Sequence, residues 1–325
     1  MNDVLKPRSP TDHRAMACAP ASQIVKQAAR TLFLLGSLQG AVGASAVDLR
    51  DDRGTTVHLA APATRIIAMA PHLTEIAFAA GAGDKLIAVS AYSDYPPEAL
   101  RLPRVGDGAR VDIERMLTLK PDLVLAWKSG NQAGDIAKLE RLGIPVWVSE
   151  ASRLGDIPRL LRGVAALAGT SAAGERAAEE FERELSRLRN RDRAVSPRQQ
   201  PLPVFYEIWH QPLLTVNGAH MINEAITLCG GRNVFAQAAV LTPSVALEAV
   251  LAARPQLILG GGSDDGEADF LARWRRMPVA ALRAIPAHYV APDGIQRPSP
   301  RIIDGIRVIC RHVDEARSAT QTLIP

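Results

Sequence analysis

Short apolar runs followed by amphipathic segments alternate along most of the chain. In the first half, apolar runs at 65–70, 86–90 and 146–148, and a fourth that ends at Trp127, predict short buried strands. Segments with helical periodicity lie between and after them, as at 157–168. Because alternating strands and helices form a mainly parallel sheet with covering helices, this half is predicted to be an α/β lobe.

A long amphipathic segment lies near the middle of the chain. Between 172 and 192 apolar residues recur mainly every three or four positions, at Ala177, Ala178, Phe181, Leu185 and Leu188. The opposite face is charged, which predicts a helix with one buried stripe. We interpret this segment as a rigid helix over 171–195 that joins two similar lobes, at 47–170 and 196–325. The alternative is an ordinary surface helix of a single domain.

An internal repeat supports the two lobes. Segments 114–125 and 248–259 share the pattern Glu-x-x-Leu-x-x-basic-Pro-x-Leu-aliphatic-Leu, with an offset of 134 residues. Each is predicted to be a short helix, a proline stop and a buried strand. The repeat therefore predicts two lobes of like topology, related by a pseudo-twofold axis.

The amino terminus has the pattern of a secretory signal. Lys26 and Arg30 precede a moderately apolar stretch at 31–43, and the small residues at 44–46 suit signal peptidase. We predict a secretory signal peptide over residues 1–46, with Met16 as an alternative start. Its removal takes away five basic and two acidic residues and lowers the net charge from +4 to +1, so nucleic-acid binding is not expected.

The rest of the composition favours a binding protein over an enzyme. The chain is 47% hydrophobic and 22% charged, as in globular proteins, and it has no run of 18 apolar residues. It contains neither a phosphate-binding loop nor a Gly-x-Ser-x-Gly elbow. Its histidines show no close metal-ligand spacing, so no metal is predicted. An exported metal-dependent hydrolase is a remote alternative.

Aromatic residues recur where predicted strands end, at Tyr92, Trp127 and Trp209. Ligands of open α/β sheets bind at the carboxyl ends of the strands, so these rings favour a cleft for a large, flat or apolar ligand. A role as core fillers is the alternative. The two cysteines that follow the leader, Cys229 and Cys310, are interpreted as a disulfide, with two buried free thiols as the alternative.

The two repeat glutamates, Glu114 and Glu248, also have two interpretations. An acidic residue in the first helical turn stabilises the helix dipole by roughly 0.3–1 kcal/mol. Their recurrence at equivalent places favours a second role, in which one acidic knob per lobe pairs with arginines of a symmetric partner.

Four motifs resemble a known family: residues 92–97 (Tyr-Ser-Asp-Tyr-Pro-Pro), 119–127 with Gly130-Asn131, 229–235 (Cys-Gly-Gly-x-Asn-Val-Phe) and 297–301 (Arg-x-Ser-Pro-Arg). They are similar to the periplasmic cobalamin-binding proteins, which are class III, two-lobe substrate-binding proteins of ABC importers. The likeness runs from about residue 65 to 315. It implies a periplasmic monomer, with no cofactor, that delivers a corrinoid to a permease dimer with its ATPase subunits.

The resemblance also implies roles for particular residues. It places Tyr92, Trp127, Asp293 and Arg297 around the corrinoid, and Trp209 and His210 would contribute from the other lobe. It implies that Cys229 and Cys310 are bonded and that Glu114 and Glu248 dock on the two permease subunits. A heme or ferric-siderophore carrier of the same fold is the runner-up, with Tyr92, His72 or His210 as the iron ligand.

Overall fold

A computed structural model describes residues 45–107, 110–195, 200–261 and 266–322. The predicted signal peptide lies outside these ranges except for its last two residues. None of the helices within the described ranges is long and apolar enough to cross a membrane.

The N-terminal lobe is built on a four-stranded parallel sheet. It starts with an antiparallel hairpin, β1 (Val47–Arg50) and β2 (Thr56–Leu59). The sheet strands are β3 (Ile66–Ala68), β4 (Leu86–Val89), β5 (Leu123–Trp127) and β6 (Val146–Ser149). Their order is β4-β3-β5-β6. Its helices are α1 (Pro71–Ala79), α2 (Ile113–Thr118), α3 (Ala133–Arg141) and α4 (Asp156–Ala168).

The C-terminal lobe repeats this arrangement. The strands of its parallel sheet are β7 (Leu202–Glu207), β10 (Gly231–Asn233), β11 (Leu257–Gly260) and β12 (Ala287–Tyr289). Their order, β10-β7-β11-β12, is that of the first sheet. Between β7 and β10 lies a short hairpin of β8 (Trp209–His210) and β9 (Leu213–Leu214). The helices are α6 (Met221–Leu228), α7 (Leu247–Ala252), α8 (Gly266–Arg275), α9 (Ala280–Arg283) and α10 (Ile302–Thr322).

The central helix, α5 (Ser171–Val195), joins the lobes. Of its predicted apolar stripe, Ala178, Phe181, Leu185 and Leu188 are buried and Ala177 is partly buried. The helix contacts α1 and α4 of the first lobe and α6 and α10 of the second. One hydrophobic cluster runs from the first lobe through this stripe into the second. The predicted fold class is therefore confirmed, whereas the exact lobe boundaries stay a prediction.

The disulfide prediction is also confirmed. Cys229, at the end of α6, is bonded to Cys310 on α10, with a Cα–Cα distance of 4.6 Å. Both cysteines are buried. The bond ties the C-terminal helix to the second lobe.

Two short elements of the second lobe have no counterpart among the predicted strands. One is the hairpin of β8 and β9, in which Trp209 and His210 pair with Leu214 and Leu213. The other is the edge strand β10. Its three residues begin with a glycine and carry no apolar alternation, so they gave no strand signal.

Candidate functional site

A cavity of about 390 Å³ lies between the lobes, at the carboxyl ends of the strands. The first lobe contributes Trp127, Ser129, Glu150, Ala151 and Ser152. The second contributes Ile208, Ala219, His220, Met221, Leu241, Ile295, Gln296 and Pro298. Its walls are thus mainly apolar, with a few polar groups, as expected of a small-molecule site.

Trp127, the last residue of β5, is held on three sides. Asn131 Oδ1 accepts a hydrogen bond from its backbone N–H (2.7 Å), and its indole Nε1 donates to Glu150 Oε1 (3.3 Å). A Cβ atom on Gly130 would lie 1.8 Å from a ring carbon, so this position has no room for a side chain. The motif of Trp127 with Gly130-Asn131 therefore fixes the indole at the cavity wall.

His72 in α1 supports the same ring from behind. The two rings meet edge to face, with 5.2 Å between their centroids, and His72 is buried. Burial, with a smaller contribution from the charge of Arg297, lowers the pKa of His72 to about 3. The imidazole is therefore neutral at physiological pH.

His220 lies on the opposite wall, at the start of α6. Its Nδ1 accepts a hydrogen bond from the backbone N–H of Ile222 (3.1 Å), which caps the helix. Burial lowers the pKa of His220 to about 4, so this ring is neutral as well. Because Nδ1 accepts, the proton is on Nε2, and this nitrogen can serve as a hydrogen-bond donor to a ligand.

A network of charges crosses between the lobes beside the cavity. At its centre is the buried carboxylate of Glu75, in α1. Arg301 donates to both of its oxygens (2.6 and 3.0 Å), Arg297 donates to Oε1 (3.1 Å) and the Ser299 hydroxyl donates to Oε2 (2.6 Å). Arg301 also lies 4.0 Å above the ring of Tyr95. Two arginines of the second lobe thus share one buried acid of the first.

Arg297 continues this network toward solvent. It pairs with Asp94 Oδ1 (2.6 Å) in the first lobe and Asp293 Oδ1 (2.7 Å) in its own. Burial opposes the charge on Arg297, but the hydrogen bonds to Asp94 and Glu75 outweigh it and raise the pKa of Arg297. Burial also works against the Asp94 carboxylate, but Arg297 holds the pKa of Asp94 below its usual value.

Three other predicted ligand residues, Tyr92, Trp209 and His210, are not among the residues that line this cavity. Tyr92 has 76% of its surface exposed and adopts φ 62°, a left-handed conformation that is uncommon for a tyrosine. It lies two residues before Asp94, on the cleft side of the first lobe. Trp209 is 40% exposed and donates to Gln211 O (2.9 Å). His210 lines a different cavity, of about 610 Å³, against α8.

Glu114 and Glu248 occupy matching positions, in the first turns of α2 and α7. Both are exposed, and neither carboxylate forms an ion pair with another residue of the described ranges. An exposed leucine, Leu117 or Leu251, follows one turn later in each repeat. Each lobe therefore presents an acidic group beside an apolar one.

Sequence reasoning missed Glu75, Glu150 and His220. The polar contacts that were predicted came from short sequence motifs. Glu75 belongs to none of these motifs, and it lies 222 residues before Arg297 in the chain. The one available signal was an acid in the helix directly after a buried strand, at a place where ligands of α/β sheets bind.

The comparisons with known proteins agree with this architecture. Residues 66–290 match the family model described as "Periplasmic binding protein". A "Vitamin B12-binding protein" of Vibrio cholerae serotype O1 is 37% identical over 256 residues, which cover 79% of this chain and 91% of that protein. A second, from Pectobacterium carotovorum, is 39% identical over 246 residues, or 76% and 87% of the two chains.

Solved structures give the same picture. The crystal structure of the periplasmic vitamin B12 binding protein BtuF of Vibrio cholerae superposes with a TM-score of 0.70 at 37% identity, covering 79% of this chain and 98% of that one. The periplasmic heme-binding protein BhuT, in complex with two hemes, superposes with a TM-score of 0.69 at 26% identity, covering 78% and 98%.

Proposed function

We propose that this chain, which belongs to the periplasmic binding protein family, captures cobalamin or a related corrinoid between its lobes and delivers it to an ATP-driven importer. The observation that carries the proposal is the 37% identity to a vitamin B12-binding protein over 91% of that protein's length. The family is one of binding proteins, in agreement with a function that is not enzymatic.

The chemistry of the cavity supports a corrinoid. Trp127 offers a flat apolar surface for a macrocycle. Glu150 and Ser129 offer hydrogen-bonding groups on one side, and His220 and Gln296 on the other, which suits the amide side chains that surround a corrin ring. A corrinoid is larger than the 390 Å³ cavity, so part of it would extend toward the exposed ring of Tyr92.

A heme or ferric-siderophore ligand is the second candidate, and one observation favours it. Of the three iron ligands considered, Tyr92 is exposed on the cleft side and could supply a phenolate. His72 is buried against Trp127, and His210 lines the other cavity. Ligation by His220 Nε2 would require the proton on Nδ1, which would remove its cap on α6.

The two ligands are separated by titration of the purified mature protein. Cyanocobalamin and hemin are added separately to ligand-free protein, and binding heat and visible spectra are followed. We expect saturable binding of cyanocobalamin, weakened about tenfold or more by Trp127→Ala, since a central aromatic anchor carries much of the binding energy. The unfolding midpoint of the variant serves as its folding control. Binding of hemin with a shifted Soret band, and no binding of cyanocobalamin, would overturn the proposal.

We further propose that Glu114 and Glu248 are the contacts with the two permease subunits. Their exposure and their equivalence under the internal repeat support a two-fold partner. The adjacent Leu117 and Leu251 would add apolar contact at each end. Arginines on the permease are the matching chemistry.

A further inference from the structure

His288, His312 and Glu315 form a compact group away from the cleft. Their potential ligand atoms all lie within 4.8 Å of one another. His312 Nδ1 lies 2.9 Å from Glu315 Oε2, and the rings of His288 and His312 are stacked with 4.2 Å between centroids. His288 is on β12, an edge strand of the second sheet, and the other two residues are on α10.

The local geometry explains how the three residues converge. His312 and Glu315 are three positions apart, so they face the same side of α10 one turn apart. His288 comes from a different element, 24 residues earlier in the chain, and completes a triangle that no close sequence spacing shows. His312 is about 15 Å along the helix axis from its start at Ile302, which separates the group from the cleft network.

A plain ion pair accounts for only part of this arrangement. A hydrogen bond between His312 and Glu315 is an ordinary surface pair on a helix, but it does not account for His288, which brings a third donor atom within 4.8 Å of the other two. Two imidazoles and one carboxylate are a donor set that Zn²⁺ binds well, with a water molecule as the fourth ligand. Arg311 also interacts with His288 and Glu315, and its charge works against a cation. The carboxylate of Glu315 offsets it.

We propose that His288, His312 and Glu315 bind one Zn²⁺ ion, or a similar borderline divalent cation, on the outer face of the second lobe. A bound ion would clamp the edge strand β12 to α10. Cys310, two residues before His312, already fixes that helix to α6 through the disulfide. The metal would therefore hold the other side of the same helix.

The test uses the full mature chain without a histidine tag, treated with a chelator and then titrated with Zn²⁺ in a calorimeter. We expect one ion per chain and a rise of the unfolding temperature with Zn²⁺. Glu315→Gln and His288→Gln should each weaken Zn²⁺ binding at least about tenfold, since even residues behind the ligands affect affinity by that much. Glu315 is about half exposed, so its replacement should not prevent folding.

The matched control is His58→Gln. His58 also pairs with a carboxylate, Asp48 Oδ1 at 2.7 Å, but it is not part of a group of three donors within the described residues. We expect it to leave Zn²⁺ affinity unchanged. Zn²⁺ binding that survives both Glu315→Gln and His288→Gln, or that is lost with His58→Gln, would overturn the site. Binding of cyanocobalamin is measured in parallel, and it should not depend on Zn²⁺.

Discussion

The two sheets have the same strand order, yet they end differently at the cleft. In the first sheet β5 ends at Trp127, which forms a wall of the cavity. The equivalent position in the second repeat is Gly261, where a Cβ atom would lie 2.4 Å from the carbonyl oxygen of Val290. The scaffold is therefore repeated while the ligand contacts are not. The second lobe contributes its part of the wall from other elements, through His220 and Ile295.

The repeat is most closely kept on the side away from the cleft. Lys120 and Arg254 have φ of 49° and 50°, uncommon values for residues with side chains, and each precedes a proline. The turn from helix to strand is thus the same in both lobes. This turn follows Glu114 in one lobe and Glu248 in the other. The two lobes therefore present similar surfaces on this side, whereas their cleft sides differ.

The largest expected effect comes from the disulfide, which the first lobe lacks. The bonded cysteines are separated by 81 residues. Removing this bond with Cys229→Ala and Cys310→Ala should lower the free energy of unfolding by about 4 kcal/mol, because the unfolded chain loses a long closed loop. Urea unfolding measures the change. A reductant should destabilise the wild type similarly and leave the double variant unaffected. A loss below about 1 kcal/mol would contradict this account.

The next effect concerns the charges that connect the lobes. Glu75→Gln leaves Arg297 and Arg301 without their shared buried counter-charge, and we expect a loss of about 3 kcal/mol in the free energy of unfolding. Asp293→Asn is the matched control at the solvent end of the network. Asp293 is 53% exposed, so its replacement should cost within about 0.5 kcal/mol. Equal effects of the two changes would mean that the network does not hold the lobes.

Acid should affect both lobes to a similar degree, since each has one neutral histidine at the cleft, buried in the first lobe and half-buried in the second. The folded pKa values, about 3 for His72 and about 4 for His220, lie below the ordinary value of 6.5. Below pH 6.5 the unfolded chain therefore takes up protons that the folded chain does not, and stability falls. Between about pH 7 and pH 5 the loss should be about 2 kcal/mol per histidine.

Two variants assign this loss to the lobes. His72→Gln removes the first titrating group, and His220→Asn removes the second but keeps an oxygen that can cap α6. Urea unfolding at both pH values should show a smaller pH dependence in each variant and the smallest in the double variant. An unchanged pH dependence in either single variant would exclude that histidine as a source.

The smallest effect on stability is expected where the lobes are most alike. Glu114→Gln and Glu248→Gln should each change the free energy of unfolding by less than about 0.5 kcal/mol, because both side chains are exposed. Cobalamin affinity should stay the same. Uptake through a reconstituted importer should fall, most in the double variant, and complex formation should weaken further at higher salt. Normal uptake by the double variant would leave only the helix-dipole role.

The parts of the molecule that follow local patterns could be predicted from the sequence. The stripe on α5 is visible as a helical periodicity, and the two lobes are visible as the repeat at 114–125 and 248–259. Neither pattern depends on contacts between distant segments. The disulfide was predicted because two cysteines follow the leader in a chain that is expected to be exported. Trp127 was identified because strand ends are ligand sites, whereas His72 was considered only as an iron ligand and not as a support for the Trp127 ring.

What could not be predicted depends on contacts between distant segments. Glu75 meets Arg301 across 226 residues, and His288 meets His312 across 24, and neither pair has a sequence spacing that indicates contact. Periodicity also does not tell which of two nearby histidines faces a cavity. His210 was expected in the cleft, whereas the structure places His220 in its wall and His210 against α8. Whether His210 contacts a ligand stays a prediction.

The hydrophobic cluster that passes through α5 has a consequence for cooperativity. Neither lobe buries a complete apolar face by itself, because part of its core is formed by the stripe of the shared helix. If the chain were divided on either side of α5 and expressed as two fragments, each fragment would expose apolar surface. Both fragments would then tend to aggregate. The mature protein should melt in one step, unlike a pair of tandem domains on a flexible tether.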